Sequence, residues 1–200
     1  MLRVIGHIPP PPASVLVMEG SVPIQFRVPG PALYTWRDTF RPNDGPAQLL
    51  TVGIDSDSAG IRSVVVAKAG YMYADLAAKP PVVPSLPVID VTPAYFGAPH
   101  VPGLPLVDVR EFELFRGRVA APELVEPQSF YMMGNGRSVF IALNIAVKPE
   151  ICYRCDRAGF FVKSGFLCGF GFFDLTDPEY AALENVGSLD EIRRLEKDEH

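Results

Sequence analysis

Hydrophobic residues recur with the two-residue period of β-strands along most of this chain. Val22, Ile24, Phe26 and Val28 alternate with polar or neutral residues, and this alternation predicts a strand with one buried face. Other short runs rich in apolar, β-branched or aromatic residues occupy residues 2–8, 14–18, 33–40, 47–54, 61–67, 107–119, 129–133, 137–145, 151–155, 159–162 and 166–175. The pattern predicts a mainly β fold of antiparallel sheets and hairpins.

Turn residues between these runs predict where the hairpins lie. Residues 55–60, Asp-Ser-Asp-Ser-Ala-Gly, separate two apolar runs, and Asn135-Gly136 favours a two-residue type I′ turn. Asp156-Arg157-Ala158-Gly159 repeats the Asp-x-Ala-Gly of residues 57–60. The repetition favours two similar β units, but Asp-x-x-Gly also recurs by chance in hairpins, so both interpretations stay open.

A proline-rich segment at residues 77–105 separates the two sets of predicted strands. Each proline removes a backbone donor, so the segment is expected to hold neither a helix nor a central strand. We therefore expect an extended connection packed on the surface. The 200 residues suit a single domain, whose halves 1–76 and 106–200 this segment would join.

Short helices are predicted only near the carboxyl end. Thr176 is followed three residues later by Glu179, and Ser188 by Glu191, which are capping-box spacings. The second helix is mostly charged, so its end is expected to lie in solvent.

The charge of the chain changes the range of partners to expect. The formal net charge is −5, which disfavours binding to phosphate backbones and favours a basic protein partner. No apolar stretch reaches the length of a membrane helix, and residues 1–8 do not resemble a secretion signal. We expect no nucleic acid, no membrane and a cytoplasmic location, and the oligomeric state is left open.

Three features resemble functional motifs without completing any of them. Cys152 and Cys155 form a CxxC with Cys168 as a third cysteine, but residues three apart on a strand point to opposite faces. Asp55-x-Asp57-x-x-Gly60 begins like a calcium loop, yet it lacks a glutamate at the twelfth position. No histidine lies in a nucleophile motif. We therefore expect no cofactor, no metal and no enzymatic activity.

Two segments resemble the immunity proteins of contact-dependent growth inhibition and related polymorphic toxin systems of bacteria. Residues 49–66, LLTVGIDSDSAGIRSVVV, combine a strand, an Asp-rich turn with Gly, and an Ile-x-Ser-Val strand. Residues 166–183 combine an apolar strand with a Leu-Thr step into a short helix. The resemblance implies a non-enzymatic cytoplasmic inhibitor that covers the active site of a cognate toxin.

A basic, nuclease-type toxin domain would be bound through exposed carboxylates, with aromatic residues as anchors. The candidates are Asp38, Asp44, Asp108, Glu111, Glu113, Glu123 and Glu126. Two alternatives remain. One is a small-ligand-binding or enzymatic β-barrel-like protein with a pocket lined by Trp36, Tyr34 and the Phe residues of segment 160–173. The other is a structural subunit of a larger assembly, marked by an exposed apolar patch.

Overall fold

Alternating and continuous apolar runs form strands along most of the described chain. The computed structural model describes residues 1–17, 24–40, 48–68, 72–73, 97–114, 122–126, 130–135, 137–143 and 147–186. The strands in these ranges are β1 (Val4–Ile8), β2 (Ser14–Val17), β3 (Ile24–Arg27), β4 (Tyr34–Phe40), β5 (Gln48–Ile54), β6 (Ile61–Lys68), β7 (Met72–Tyr73), β8 (His100–Pro102), β9 (Leu104–Val107), β10 (Glu123–Glu126), β11 (Tyr131–Asn135), β12 (Ser138–Ala142), β13 (Ile151–Cys155), β14 (Ala158–Lys163) and β15 (Phe166–Phe172). The helices are α1 (Arg110–Glu113) and α2 (Asp177–Val186).

These strands form two large sheets and a two-stranded ribbon. The first sheet has the order β10-β4-β5-β6-β3-β2, and the second has the order β7-β11-β12-β15-β14-β13-β8. Strands β1 and β9 form the ribbon. Most pairs are antiparallel, which confirms the predicted fold class; the parallel pairs are β10 with β4, β7 with β11 and β8 with β13.

Each large sheet takes an edge strand from the other half of the sequence. Strand β10 follows the proline-rich segment but pairs with β4, whereas β7 precedes that segment but pairs with β11. The predicted halves 1–76 and 106–200 are therefore interleaved. Whether they arose by duplication stays a prediction.

The main core lies between the facing sides of the two sheets. It includes Phe26 and Trp36 from the first sheet and Phe160 and Phe170 from the second, all buried. Phe26 and Phe160 meet edge to face with ring centroids 5.4 Å apart. This contact joins the two layers directly.

The second sheet is buried on its outer face as well. Phe140, Phe161, Cys152 and Cys168 form a smaller cluster there, closed by Phe173. Burial on both faces explains why β14 and β15 are almost continuously apolar and do not alternate. The ring of Phe173 lies over the cross-strand pair of Gly159 and Gly171, where Cβ atoms would come within 2.7 and 2.8 Å of it.

We predict that Gly171→Ala destabilises the protein by about 1–3 kcal/mol, because the added methyl group overpacks the site. Urea unfolding followed by circular dichroism measures the change. Combining it with Phe173→Leu should recover part of the loss, since the smaller side chain leaves room. Gly6→Ala is the control, as its Cβ would lie 3.9 Å from Leu106; equal losses in both variants would contradict this packing.

The turn between β5 and β6 is held by an ion pair. The Arg62 guanidinium donates two hydrogen bonds to Asp55 Oδ2, one of them from Nε at 2.8 Å. Asp55 Oδ1 accepts from the backbone N–H groups of Asp57 and Ser58, and Arg62 Nη1 donates to the carbonyl of Pro29 at 3.1 Å. The ion pair thus ties this turn to the loop between β3 and β4, and it occupies the carboxylate that begins the calcium-like motif.

The same turn anchors the ribbon. The backbone N–H of Val107 donates to the Ala59 carbonyl at 2.9 Å, and Gly60 forms a bridge with Leu106. On the other side of the ribbon, the N–H of Val4 donates to the Gly165 carbonyl at 2.7 Å. The ribbon therefore connects the first sheet to the second.

The Asp55 carboxyl group makes stability depend on pH. Burial raises its pKa, but the hydrogen bonds from Asp57, Arg62 and Ser58 outweigh burial and lower the pKa from 3.8 to about 2. A lowered pKa in the folded state means that the stabilisation is complete above about pH 4 and is lost as the pH falls towards 2.

We predict that this group contributes about 2 kcal/mol of the free energy of unfolding at neutral pH. Urea unfolding between pH 6 and 2, on the protein and on Asp55→Asn, measures the contribution. The difference between the two should shrink across the interval from about pH 4 to 2. Asp57→Asn, in the same turn but exposed, is the control. A constant difference at every pH would contradict the assignment.

Most local predictions are confirmed, and two need correction. The hairpins at residues 55–60 and 156–157 and the helix capped by Thr176 are present. Asn135 is instead the last residue of β11, where it pairs with Ser138, so it is a strand residue and not the predicted first residue of the turn. The predicted strand 107–119 ends at Val107 and continues as α1; residues 115–119 and the helix predicted after Ser188 lie outside the described residues.

The two Asp-x-Ala-Gly segments adopt different turns. Ala59 has the positive φ in the first, at 59°, and Asp156 has it in the second, at 52°. Six residues separate the paired Ile54 and Ile61, whereas two separate Cys155 and Ala158. The two copies of the Asp-x-Ala-Gly sequence therefore adopt different conformations.

The described end of the proline-rich segment is extended, as predicted. Strand β8 lies at the edge of the second sheet, which suits its proline because an edge strand needs fewer backbone donors. Leu104 in β9 is fully buried, so this end contributes to the core and is not only a surface connection.

Candidate functional site

A cavity of about 420 Å³ opens beside β10, α1 and the first three residues. Its apolar lining consists of Met1, Leu2, Trp36, Phe112, Leu114, Leu124 and Phe166. Its charged lining consists of Arg3, Asp108, Arg110, Glu111 and Glu126. The cavity lining therefore combines apolar surface with charged groups of both signs, as the linings of many binding sites do.

Backbone hydrogen bonds fix the residues before β1 as one wall of the cavity. The N–H of Asp108 donates to the Arg3 carbonyl at 2.8 Å, and the N–H of Leu167 donates to the Leu2 carbonyl at 2.9 Å. Arg3 also forms a bridge with Phe166. This wall is therefore held from the ribbon on one side and from β15 on the other.

Helix α1 forms a second wall because its central residue is anchored in the core. Phe112 is fully buried and stacks on Tyr34, with ring centroids 5.3 Å apart and planes 12° apart. Its neighbours Glu111 and Glu113 are exposed, and Leu114 is 70% exposed. The anchored turn thus holds two carboxylates and an apolar side chain outward.

An ion pair neutralises two of the charged groups. Arg110 Nε lies 2.9 and 3.0 Å from the two carboxylate oxygens of Asp108, and the Arg110 backbone N–H donates to Asp108 Oδ1 at 3.1 Å. These hydrogen bonds from Arg110 lower the pKa of Asp108 to about 2. Asp108 therefore stays ionised and occupied by Arg110.

Glu111 and Glu126 differ from Asp108 in their pairing. Glu126 contacts the amino group of Met1, whereas neither Glu111 nor Glu113 has an ion pair within the described ranges. Arg3 likewise has no salt bridge to a described residue. The charges of the cavity lining that have no ion pair to a described residue are thus those of Glu111 and Arg3, one of each sign.

Trp36 contributes a polar atom as well as an aromatic ring. Its side chain is 1% exposed and lines the cavity. Its Nε1 donor is buried and has no acceptor among the described residues. A buried N–H without an acceptor is costly, and Trp36 belongs to the main core.

The fold brings only some of the predicted carboxylates together. Asp108, Glu111 and Glu126 line the cavity, and Glu113 is exposed on α1 beside it. Glu123 lies on β10 but points to the opposite face from Leu124 and Glu126, and pairs with Arg37 at 2.9 Å. Its place is therefore outside the cavity.

Asp38 lies inside the protein and not at its surface. Asp38 was expected to be exposed, but its side chain is fully buried. It shares the inward face of β4 with Trp36, because residues two apart on a strand point the same way. The prediction of Asp38 as a surface contact is therefore wrong, and Asp44 lies outside the described residues.

The alternative aromatic pocket is only partly present. Trp36 and Phe166 line the cavity, but Tyr34 is buried against Phe112, and Phe160 and Phe170 fill the space between the sheets. The sequence also failed to indicate Arg3, Leu114 and Leu124, because they come together only through strand pairing distant in sequence.

The cysteines point to opposite faces of β13, as predicted. Cys152 belongs to the outer cluster and Cys155 to the main core. Burial raises the pKa of Cys152 to about 12 and that of Cys155 to about 11. No group of three or more His, Cys, Asp or Glu side chains in the described part of the chain could hold a metal ion.

Comparisons with protein-family models and with curated proteins found no match to this chain. No helix among the described residues is long and apolar enough to cross a membrane.

We predict that the thiols are unreactive in the folded protein at pH 8, because burial keeps them protonated and shielded. Titration with an aromatic disulfide reagent should label few thiols in the native protein and all three after denaturation in guanidinium chloride. Rapid labelling of the native protein would contradict the burial of these side chains.

Proposed function

We propose that this chain is a non-enzymatic binding protein of the immunity type, which binds and neutralises a cognate toxin domain in the cytoplasm. The toxin domain would be basic and of the nuclease type. The observation that carries the proposal is the exposed pair of Glu111 and Leu114 on α1, both of which line the cavity. Free carboxylates around an exposed apolar side chain suit a basic protein surface.

Charge supports this choice of partner. The cavity lining has three carboxylates and two guanidinium groups, and the ion pair of Asp108 with Arg110 removes one of each. Glu126 contacts the amino group of Met1, so Glu111 and Arg3 remain, with one charge of each sign. The net charge of −5 would accelerate encounter with a basic partner at low salt.

Exposed apolar side chains support a macromolecular partner. Leu114 is 70% exposed and Phe166 is 41% exposed, and both line the cavity. A small solute inside the cavity would leave the outer parts of these side chains in water, whereas a protein surface would cover them. Apolar residues at the centre of an interface supply much of its binding energy.

A small-ligand-binding protein is the second candidate. The cavity volume of about 420 Å³ falls in the range of small-molecule sites, roughly 300–1,000 Å³. The charged groups that converge there could orient a ligand. The exposed Leu114 and Phe166 favour the protein partner, and they also suit a subunit of a larger assembly.

We predict one-to-one binding, with a Kd on the order of nanomolar, to the C-terminal domain of a large secreted protein encoded beside this chain. Calorimetric titration measures it, and growth of cells producing the toxin domain measures protection. The double variant Glu111→Lys and Glu113→Lys should weaken binding about tenfold or more, mostly by slower association.

The matched control is the double variant Glu150→Lys and Asp177→Lys, which makes the same change of charge at two exposed carboxylates that do not line the cavity. It should bind like the unmodified protein. If no neighbouring domain gives heat or is neutralised, the immunity proposal is wrong. Equal weakening by the control would show that overall charge, and not this surface, determines affinity.

A further inference from the structure

We infer that the outer edge of β10 binds an extended segment of the protein partner, which pairs with β10 as an additional strand and directs an apolar side chain into the cavity. This inference rests on the proposed function, because it names the way in which the partner would be bound. It draws on the pairing of β10, on the ion pairs of its two glutamates and on the position of the cavity.

The pairing of β10 leaves one edge of this strand open. Strand β10 is the outermost strand of the first sheet and pairs with β4. The Thr35 N–H donates to the Pro122 carbonyl at 3.0 Å, so the main-chain groups of Leu124, two residues further on, also face β4. Those of Glu123 and Val125 face away from β4, and no main-chain hydrogen bond joins them to another described residue.

This row of main-chain groups determines the kind of occupant. Glu123 and Val125 each present an N–H and a carbonyl group, and the two residues lie about 7 Å apart along the strand. Another main chain in the extended conformation supplies acceptors and donors at the same spacing, which is how peptides add to open sheet edges. The occupant is therefore a polypeptide segment in strand conformation.

The side chains that commonly protect an edge strand are already engaged here. Charged residues and prolines discourage pairing at an edge, but Glu123 pairs with Arg37 at 2.9 Å and Glu126 with the amino group of Met1. Val125 is uncharged and 53% exposed. By contrast, β8 contains a proline, β7 has two residues and β2 lies beside α2. Among the described edge strands of the two large sheets, β10 is thus the best suited to pairing.

The cavity lies on the face of the sheet that an added strand would extend. Leu124 and Glu126 line the cavity from the inward face of β10, and a strand paired with β10 directs every second side chain to this face. An apolar side chain there would enter the cavity beside Leu124, whose neighbours in the lining include Phe112 and the exposed Leu114. Main-chain pairing would then supply affinity, and the cavity would select the side chain.

Amide hydrogen exchange, followed by nuclear magnetic resonance, tests whether the edge is open. The N–H groups of Leu124 and Glu126 face β4 and should exchange slowly. We predict that the N–H groups of Glu123 and Val125 exchange at least roughly tenfold faster, because they have no acceptor. Equally slow exchange at Val125 would show that its N–H is already bonded and would overturn the inference.

A peptide probe tests whether a strand can be added. The probe is acetyl-Thr-Thr-Leu-Thr-Leu-Thr-Thr amide, whose leucines share one face of an extended chain. We predict saturable shifts of the Glu123 and Val125 amide resonances, with a Kd on the order of millimolar. The control peptide has serine in place of both leucines and should bind at least roughly fivefold more weakly, because it buries less apolar surface.

Val125→Pro tests the main-chain pairing itself. It removes an N–H that faces away from β4, so it leaves the hydrogen bonds between β10 and β4 in place. It should weaken binding of the leucine peptide roughly tenfold, whereas Val125→Thr, which keeps the N–H, should bind like the unmodified protein. N-methylation of the peptide amides, which leaves the protein unchanged, should weaken binding as much as Val125→Pro does.

The outcomes separate this inference from the proposed function. Unmoved resonances, equal binding of both peptides, or full binding of the N-methylated peptide overturns the inference. Dimerisation through β10 without any peptide also overturns it, because a second copy would then occupy the edge. If a toxin domain still binds and is neutralised, the proposed function stands with another binding surface. Peptide binding at β10 with no binding of a toxin domain supports the edge site and overturns the immunity proposal.

Discussion

The ion pair between Asp55 and Arg62 fixes the turn on which the ribbon and the cavity depend. It holds residues 55–60 in one conformation through two side-chain and two backbone hydrogen bonds. That conformation presents the Ala59 carbonyl to Val107, the last residue of β9. Asp108 and α1 follow Val107 immediately. The ion pair in the turn between β5 and β6 therefore determines the position of the cavity wall that α1 forms. Removing either partner would leave a largely buried charge uncompensated, which is the costly way to break such a pair.

Local features of the sequence predicted local features of the fold. Asp- and Gly-rich turns identified the hairpins at residues 55–60 and 156–157, and the Thr176–Glu179 pair identified the start of α2, where the Glu179 carboxylate accepts from the Thr176 N–H at 2.8 Å. These signals are reliable because the interacting groups are a few residues apart. The pairing of β10 with β4 and of β7 with β11 joins residues distant in sequence, and no local pattern specifies it.

Helix α1 shows how tertiary packing overrides a strand-like pattern. The alternation of Val107 and Val109 with charged residues favours a strand, yet Phe112 stacks on Tyr34 and draws residues 110–113 into a helical turn. The error matters for the candidate site. On a strand Glu111 and Glu113 would share a face, whereas on α1 they lie on opposite sides of an anchored Phe112, and only Glu111 lines the cavity.

The buried Asp38 and the cavity carboxylates show why charge alone could not define the site. The sequence shows where every carboxylate occurs but not which way it points. The alternation of side chains along β4 and β10 determines the face of the sheet on which each carboxylate lies. Asp38 and Glu126 are register partners on the inward face, and only Glu126, on the edge strand, reaches the cavity. Glu123, three residues earlier on β10, is turned outward to Arg37. The direction of each side chain and the position of its strand in the sheet therefore determine which carboxylates can contact a partner. Residues for mutagenesis are best chosen by exposure and side-chain direction, because composition does not distinguish these carboxylates.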